Sequence, residues 1–190
     1  MICALSPSLS LSLPPPPVSP SPPLPLSLTQ VDFEGELGVL IGTHCKDVTA
    51  REALSYVAGY CVANDVSGRK SQFDLFNGGQ WLRSKSFDSF LPLSNELIPA
   101  SRVPNPQALG ITTHVNDMLM QDSSTNDMVF PVADLIAFLS HDATLAPGTL
   151  ILTGTPAGVG HSRNPPQYLK TGDVVRVTIE GVGTVSNPVL

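Results

Sequence analysis

The chain has 190 residues, 14 % of them charged, and a net charge of −6 at neutral pH. That length suits one domain with a real core, and the sparse, acidic charge has no basic cluster, which excludes a nucleic-acid or polyphosphate partner. Three cysteines without motif spacing, Cys3, Cys45 and Cys61, argue against a disulfide framework or a zinc site and for a reducing compartment inside the cell, cytoplasmic or mitochondrial.

Residues 1–30 form the first unit. They carry no charge and hold close to half of the prolines. Repeated proline removes backbone donors and fixes φ, so disorder or polyproline II is expected there. The stretch is too interrupted to span a membrane, and it lacks the basic or arginine-rich signature of a leader. A proline-rich docking segment is the compositional alternative.

The second unit, residues 31–190, opens on "VDFEGELGVLIG". As one strand it puts Val31, Phe33, Leu37, Val39 and Ile41 on one face and Glu34 and Glu36 on the other. Like charges two residues apart lie within about 7 Å. An exposed strand face carries such a pair with mild repulsion. A shared hard cation, magnesium or calcium with oxygen ligands, carries it with none.

"TAREALSYV" has a capping-box pair, Thr49 and Glu52, with Ala53, Leu54 and Val57 behind it, and reads as a helix. "AGYCVANDV" reads as a strand ending at Asp65, either a turn residue or a third oxygen ligand. Residues 67–84 read as a long loop. Lys85, in "RSKSFD", either binds a carboxylate or a developing enolate, or is solvated surface. "KSFDSFLPLS" leads toward a strand region. "ITTHVNDMLMQDS" reads as a hairpin turning at Asn116 and Asp117. "PVADLIAFLS" reads as a short helix burying Val132, Leu135, Ile136 and Leu139. "TLILTGTPAGVG" is a buried strand running into a glycine-proline elbow whose backbone and Thr155 hydroxyl can approach a ligand. "DVVRVTIEGVGTVSNPVL" closes the chain as a hairpin around Gly181 and Gly183. The total is strand-dominated, an all-β or α+β domain.

"DFEGEL", "VANDVSGRKSQ", "KSFDSFLPL", "LILTGTPAGVG" and "LKTGDVVRVTIEGVGTVSNPV" stand in the order found in the fumarylacetoacetate hydrolase family. The resemblance runs from about Val31 to the end and is closest to the "domain-containing" branch. It implies an α+β fold, a mixed β-sandwich roll, usually dimeric, with one magnesium, manganese or calcium ion per subunit. It implies metal ligation by Glu34, Glu36 and Asp65, substrate binding by Arg69, Gln72 and Thr155, and a catalytic Lys85. The implied substrate is a small diketo or 2-oxo acid, and the implied reaction is hydrolytic C–C cleavage of an acylpyruvate-like acid. Oxaloacetate decarboxylation or isomerisation on the same site is the alternative within the family.

This chain departs from the family in three places. The family carries a lid before the "E-x-E" strand, with a histidine–glutamate pair that activates water, where this chain has polyproline. That difference sets a full enzyme against a truncated metal-binding remnant of little activity, and His44 and His161 read as surface histidines rather than as the missing base. The family's "SARD" is Ser67-Gly68-Arg69-Lys70 here. Its "VNGE" turn is Val115-Asn116-Asp117-Met118, which still suits a tight turn.

Overall fold

The computed structural model of the chain describes residues 2–4, 30–74 and 79–190. The expectation for residues 1–30 falls largely outside the described residues. Residues 2–4 precede the first proline and form an edge strand, β1 (Ile2–Ala4).

The stretch expected to be one strand is two. β2 (Val31–Asp32) pairs with β5 (Ser67–Gly68) in a small sheet of its own. β3 (Gly35–Ile41) runs through a five-stranded sheet ordered β1-β9-β3-β4-β6, with β4 at Val57–Asn64, β6 at Ile98–Pro99 and β9 at Thr149–Leu152. Phe33 and Glu34 lie in the break. The apolar residues divide accordingly. Leu37, Val39 and Ile41 join the main core, while Val31 and Phe33 pack with Val66, Phe90 and Met120 in a second cluster.

A four-stranded sheet lies against the first, ordered β11-β10-β7-β8, with β7 at Gly110–Val115, β8 at Met118–Ser124, β10 at Val174–Ile179 and β11 at Gly183–Pro188. Every ladder among the described residues is antiparallel. The main core fills the space between the sheets, with Val62 and Tyr60 from one side and Val177, Ile179 and Ile111 from the other. The class is α+β with strands predominant. Among the described residues no helix is long and apolar enough to cross a membrane.

The helices are short. α1 (Ala50–Ala53) starts at Thr49 with the expected capping box and continues as a single 3-10 turn. Ala53 and Val57 are buried, but Leu54 is exposed. The loop expected over residues 67–84 contains β5 and two single-turn helices, α2 (Arg69–Gln72) and α3 (Leu82–Lys85). α4 (Val132–Ser140) buries Val132 and Ile136. Both expected hairpins form, with Asn116 and Gly181 at positive φ in their turns.

Two glycines on β3 mark close approaches. Gly38 faces Cys61 on β4, whose thiol is pushed up to about 11 by burial. Gly35 faces the second sheet, where an added Cβ would collide with the Thr113 hydroxyl and meet Val177 at 3.0 Å. The Gly35 N–H donates to Gln121 at 3.0 Å, and its carbonyl accepts from Thr155 at 3.0 Å. Overpacking such a contact costs about 1–3 kcal/mol. Gly35→Ala should lower stability by about that amount, read as a lower denaturant midpoint with an unchanged m-value.

Candidate active site

The break between β2 and β3 builds the site. Glu34 leaves the strand there and Glu36 re-enters it, while β4 ends beside them and delivers Asp65. The Asp65 N–H donates to the Glu34 carbonyl at 2.8 Å, and the Glu34 N–H donates to Asn64 Oδ1 at 3.0 Å. The three acidic side chains are buried, and each offers an oxygen within 4.8 Å of the others.

α3 brings a cation into this cluster. Lys85 Nζ donates to Asp65 Oδ2 at 2.6 Å, to Glu34 Oε2 at 2.9 Å and to the Ser67 hydroxyl at 2.9 Å. Burial opposes its charge, but Glu34 and Asp65 outweigh that, and its pKa stands above the ordinary lysine value. α2 supplies the second cation. Arg69 pairs through Nη1 with Glu34 Oε1 at 2.7 Å and through Nε with Asp32 Oδ2 at 2.9 Å. The same Nη1 donates to Gln72 at 2.7 Å.

Asp32 is the functional residue that the sequence reading missed. It is 0 % exposed. Besides Arg69 it accepts backbone N–H groups from Phe33 (2.9 Å), Gly160 (2.8 Å) and His161 (2.9 Å). A buried carboxylate is stable only with such partners. Asp32 thereby ties the end of the elbow loop to Arg69. Its signal was an acidic residue beside Val31 and Phe33. Gln121 was missed too. It is buried on β8, and its amide donates to Thr155 Oγ1 and the Pro156 carbonyl, both at 2.8 Å, holding the elbow from below.

Charge decides what the cluster can hold. Asp32, Glu34, Glu36 and Asp65 face two cations, Arg69 and Lys85, which leaves two carboxylates without a matching charge. Glu36 shows the strain. Its pKa is pushed up to about 8 by burial and by the nearby Asp65 and Glu34, against the Gly154 N–H that donates to it at 2.7 Å. Asp65 Oδ1 is buried with no hydrogen-bond partner. A hard divalent cation fits these residues. Its charge offsets the excess once Glu36 gives up its proton, its preferred ligand is carboxylate oxygen, and one buried carboxylate oxygen, Asp65 Oδ1, is unused.

A cavity of about 500 Å³ opens on the cluster. Glu34, Glu36, Asp65 and Lys85 line one part, Thr153, Gly154 and Thr155 another, and Trp81, Leu82 and Leu152 the rest. Six of the seven residues singled out from the sequence thus form one connected network, in which Thr155 joins through Gly35 and Gln121. Glu36 completes it beside Asp65 and Glu34. Arg69 and Gln72 are buried behind Glu34 and do not line the cavity.

A family model described as fumarylacetoacetate (FAA) hydrolase C-terminal matches residues 12–190. A mitochondrial oxaloacetate tautomerase of Xenopus laevis is 48 % identical over 161 residues, 85 % of this chain and 50 % of the relative. The chain spans about half the length of the curated relatives it matches. Among solved structures, a fumarylacetoacetate hydrolase from psychrophilic Exiguobacterium antarcticum superposes with a TM-score of 0.81 at 41 % identity, covering 85 % of this chain and 57 % of that one. A 2-hydroxyhepta-2,4-diene-1,7-dioate isomerase from Mycobacterium marinum gives 0.78 at 41 % identity, over 90 % and 64 %.

Asp32→Ala leaves Nε of the buried Arg69 guanidinium and three backbone N–H groups without their acceptor, and should destabilise the fold by about 3–5 kcal/mol, measured by chemical denaturation. Glu36 gives a pH dependence. Its folded pKa is raised from 4.5 to about 8, so its contribution to stability is complete below the unfolded value and is lost as pH rises through the folded one. In cation-free buffer the melting temperature should fall between about pH 4.5 and about pH 8, and Glu36→Gln should flatten that fall.

Proposed function

The chain belongs to the fumarylacetoacetate hydrolase family, and on that premise we propose that it is a divalent-cation-dependent enzyme of small 2-oxo or 1,3-dicarbonyl acids, working through an enolate. The observation that carries this reading is Lys85, an ammonium held inside an acidic cluster on the wall of a cavity.

Glu34, Glu36 and Asp65 would hold the cation. When bound, it would polarise a substrate carbonyl as a Lewis acid. Lys85 is fully protonated at neutral pH, so it serves as a fixed hydrogen-bond donor rather than a base. Its three N–H groups are held by Asp65, Glu34 and Ser67, and exchange of the neutral Ser67 acceptor for a substrate carbonyl oxygen would put one of them on the negative charge that develops on enolisation. The wall of the elbow, Thr155 and the backbone around Gly154, orients the acid beside it. Arg69 and Gln72 act from below in this reading: the guanidinium holds Glu34 Oε1, and Gln72 holds the guanidinium.

Keto–enol tautomerisation and hydrolytic C–C cleavage both require that enolate, and cleavage adds a water. The oxaloacetate tautomerase relative supports the first and the fumarylacetoacetate hydrolase structure the second. We extend the reading to a homodimer, supported by the exposed apolar side chains Val129, Phe130 and Phe138.

The test is thermal unfolding with and without millimolar magnesium or manganese, followed by turnover of oxaloacetate and of acylpyruvates. Cations that bind only the folded state raise the melting temperature. The parent should show the rise, and Glu34→Gln and Asp65→Asn should not. An equal rise in parent and mutants would refute the cation site. Lys85→Met should behave differently. Removing the ammonium frees oxygens of Glu34 and Asp65, so cation affinity should hold or increase, while kcat falls about 10²–10³-fold, as for loss of one preorganised donor.

A further inference from the structure

The cavity is larger than its oxygen-rich part requires. At about 500 Å³ it is within the range of pockets that enclose whole drug-sized ligands, about 300–1,000 Å³. Its remaining wall is apolar, made by Trp81, Leu82 and Leu152. Trp81 and Leu82 are both more than half exposed. Trp81 caps α3, the single turn that ends at Lys85. The Ser84 hydroxyl and N–H both donate to the Trp81 carbonyl, at 2.6 and 3.0 Å. Lys85 anchors the other end of that turn to Glu34 and Asp65. One helical turn therefore places the Trp81 backbone close to Lys85, and both residues line the same cavity. An aromatic side chain on the wall of a cavity that also holds a charged head site discriminates ligands by what they carry beyond the head.

We propose that Trp81 and Leu82 determine specificity, by selecting 2-oxo acids whose far end is a flat, uncharged substituent, such as an aryl group, over those ending in a second carboxylate. The selection rests on the reading above, in which the acid head lies at the carboxylate cluster. A planar substituent beyond the head meets the indole and the Leu82 and Leu152 side chains, removing apolar surface from water. A terminal carboxylate gives up part of its hydration against the same wall and finds no cation there to replace it.

Intrinsic fluorescence tests this directly, because Trp81 is the chain's only tryptophan. The full chain with magnesium would be titrated with two probes that share a 2-oxo acid head, oxaloacetate and 2,4-dioxo-4-phenylbutanoate, with calorimetry as a second readout that survives loss of the indole. The parent should bind the aryl probe about tenfold more tightly, the scale of one well-placed apolar contact, and that probe should change the Trp81 emission. Trp81→Ala should reduce the preference to within about twofold and leave oxaloacetate affinity unchanged. Trp81→Phe should restore most of it. Binding of oxaloacetate with no aryl preference in the parent, or equal weakening of both probes by Trp81→Ala, would overturn the inference and leave the proposed chemistry standing. Failure of both probes to bind alongside magnesium would overturn the chemistry, and the inference with it.

Discussion

Burying charge is costly, and the centre of this protein is organised around that cost. A single ion withdrawn from water is destabilising by several kcal/mol unless partners replace its hydration. Here Asp32, Glu34, Glu36 and Asp65 are withdrawn together with Arg69 and Lys85. The solutions differ by residue. Asp32 is satisfied by three backbone N–H groups and a guanidinium. Glu34 is shared between both cations. Asp65 spends one oxygen on Lys85 and leaves the other unbonded. Glu36 has one backbone donor and stays largely protonated at neutral pH. The gradient from satisfied to unsatisfied points into the cavity. The residues farthest from it are structural ion pairs, and those on its wall keep the capacity to bind.

The strand break serves the same end. A continuous β-strand would set both glutamates on one face of one sheet and could surround them with only that face. By changing sheets at Phe33 and Glu34, the chain brings β4, β5, α2 and α3 around them instead. The interruption also explains why the apolar residues on either side reach different cores.

Much of this was legible in the sequence. Glu34, Glu36 and Asp65 stood out because carboxylates amid apolar strand residues demand a reason, and the capping box, both hairpins and α4 follow local rules that tertiary contacts did not override. The break did not show, because Gly35 fits a strand pattern and its requirement is a long-range one, the approach of Thr113 and Val177. Asp32 stayed hidden for a similar reason. Its partners Arg69, Gly160 and His161 are distant in sequence, and a strand-end aspartate looks like surface until they are brought to it. The one-turn helices of the 67–84 region were also beyond local reading. A single turn is unstable in isolation, and α3 exists because Lys85 and Ser84 pin its two ends.

Cys61 gives the central sheet a clock. Only a thiolate reacts readily with alkylating reagents, and with its pKa pushed up to about 11 this thiol offers almost none at neutral pH while the sheet is closed. Wedged against Gly38, it is also out of a reagent's reach. Labelling there must wait for the packing of Ala63, Leu150 and Leu152 around it to open, so its rate counts those openings. The same two strands carry Glu36 and lead into Asp65. A change in labelling rate would therefore register how firmly the acidic cluster is held together, from a register pair two residues along the strands from Glu36.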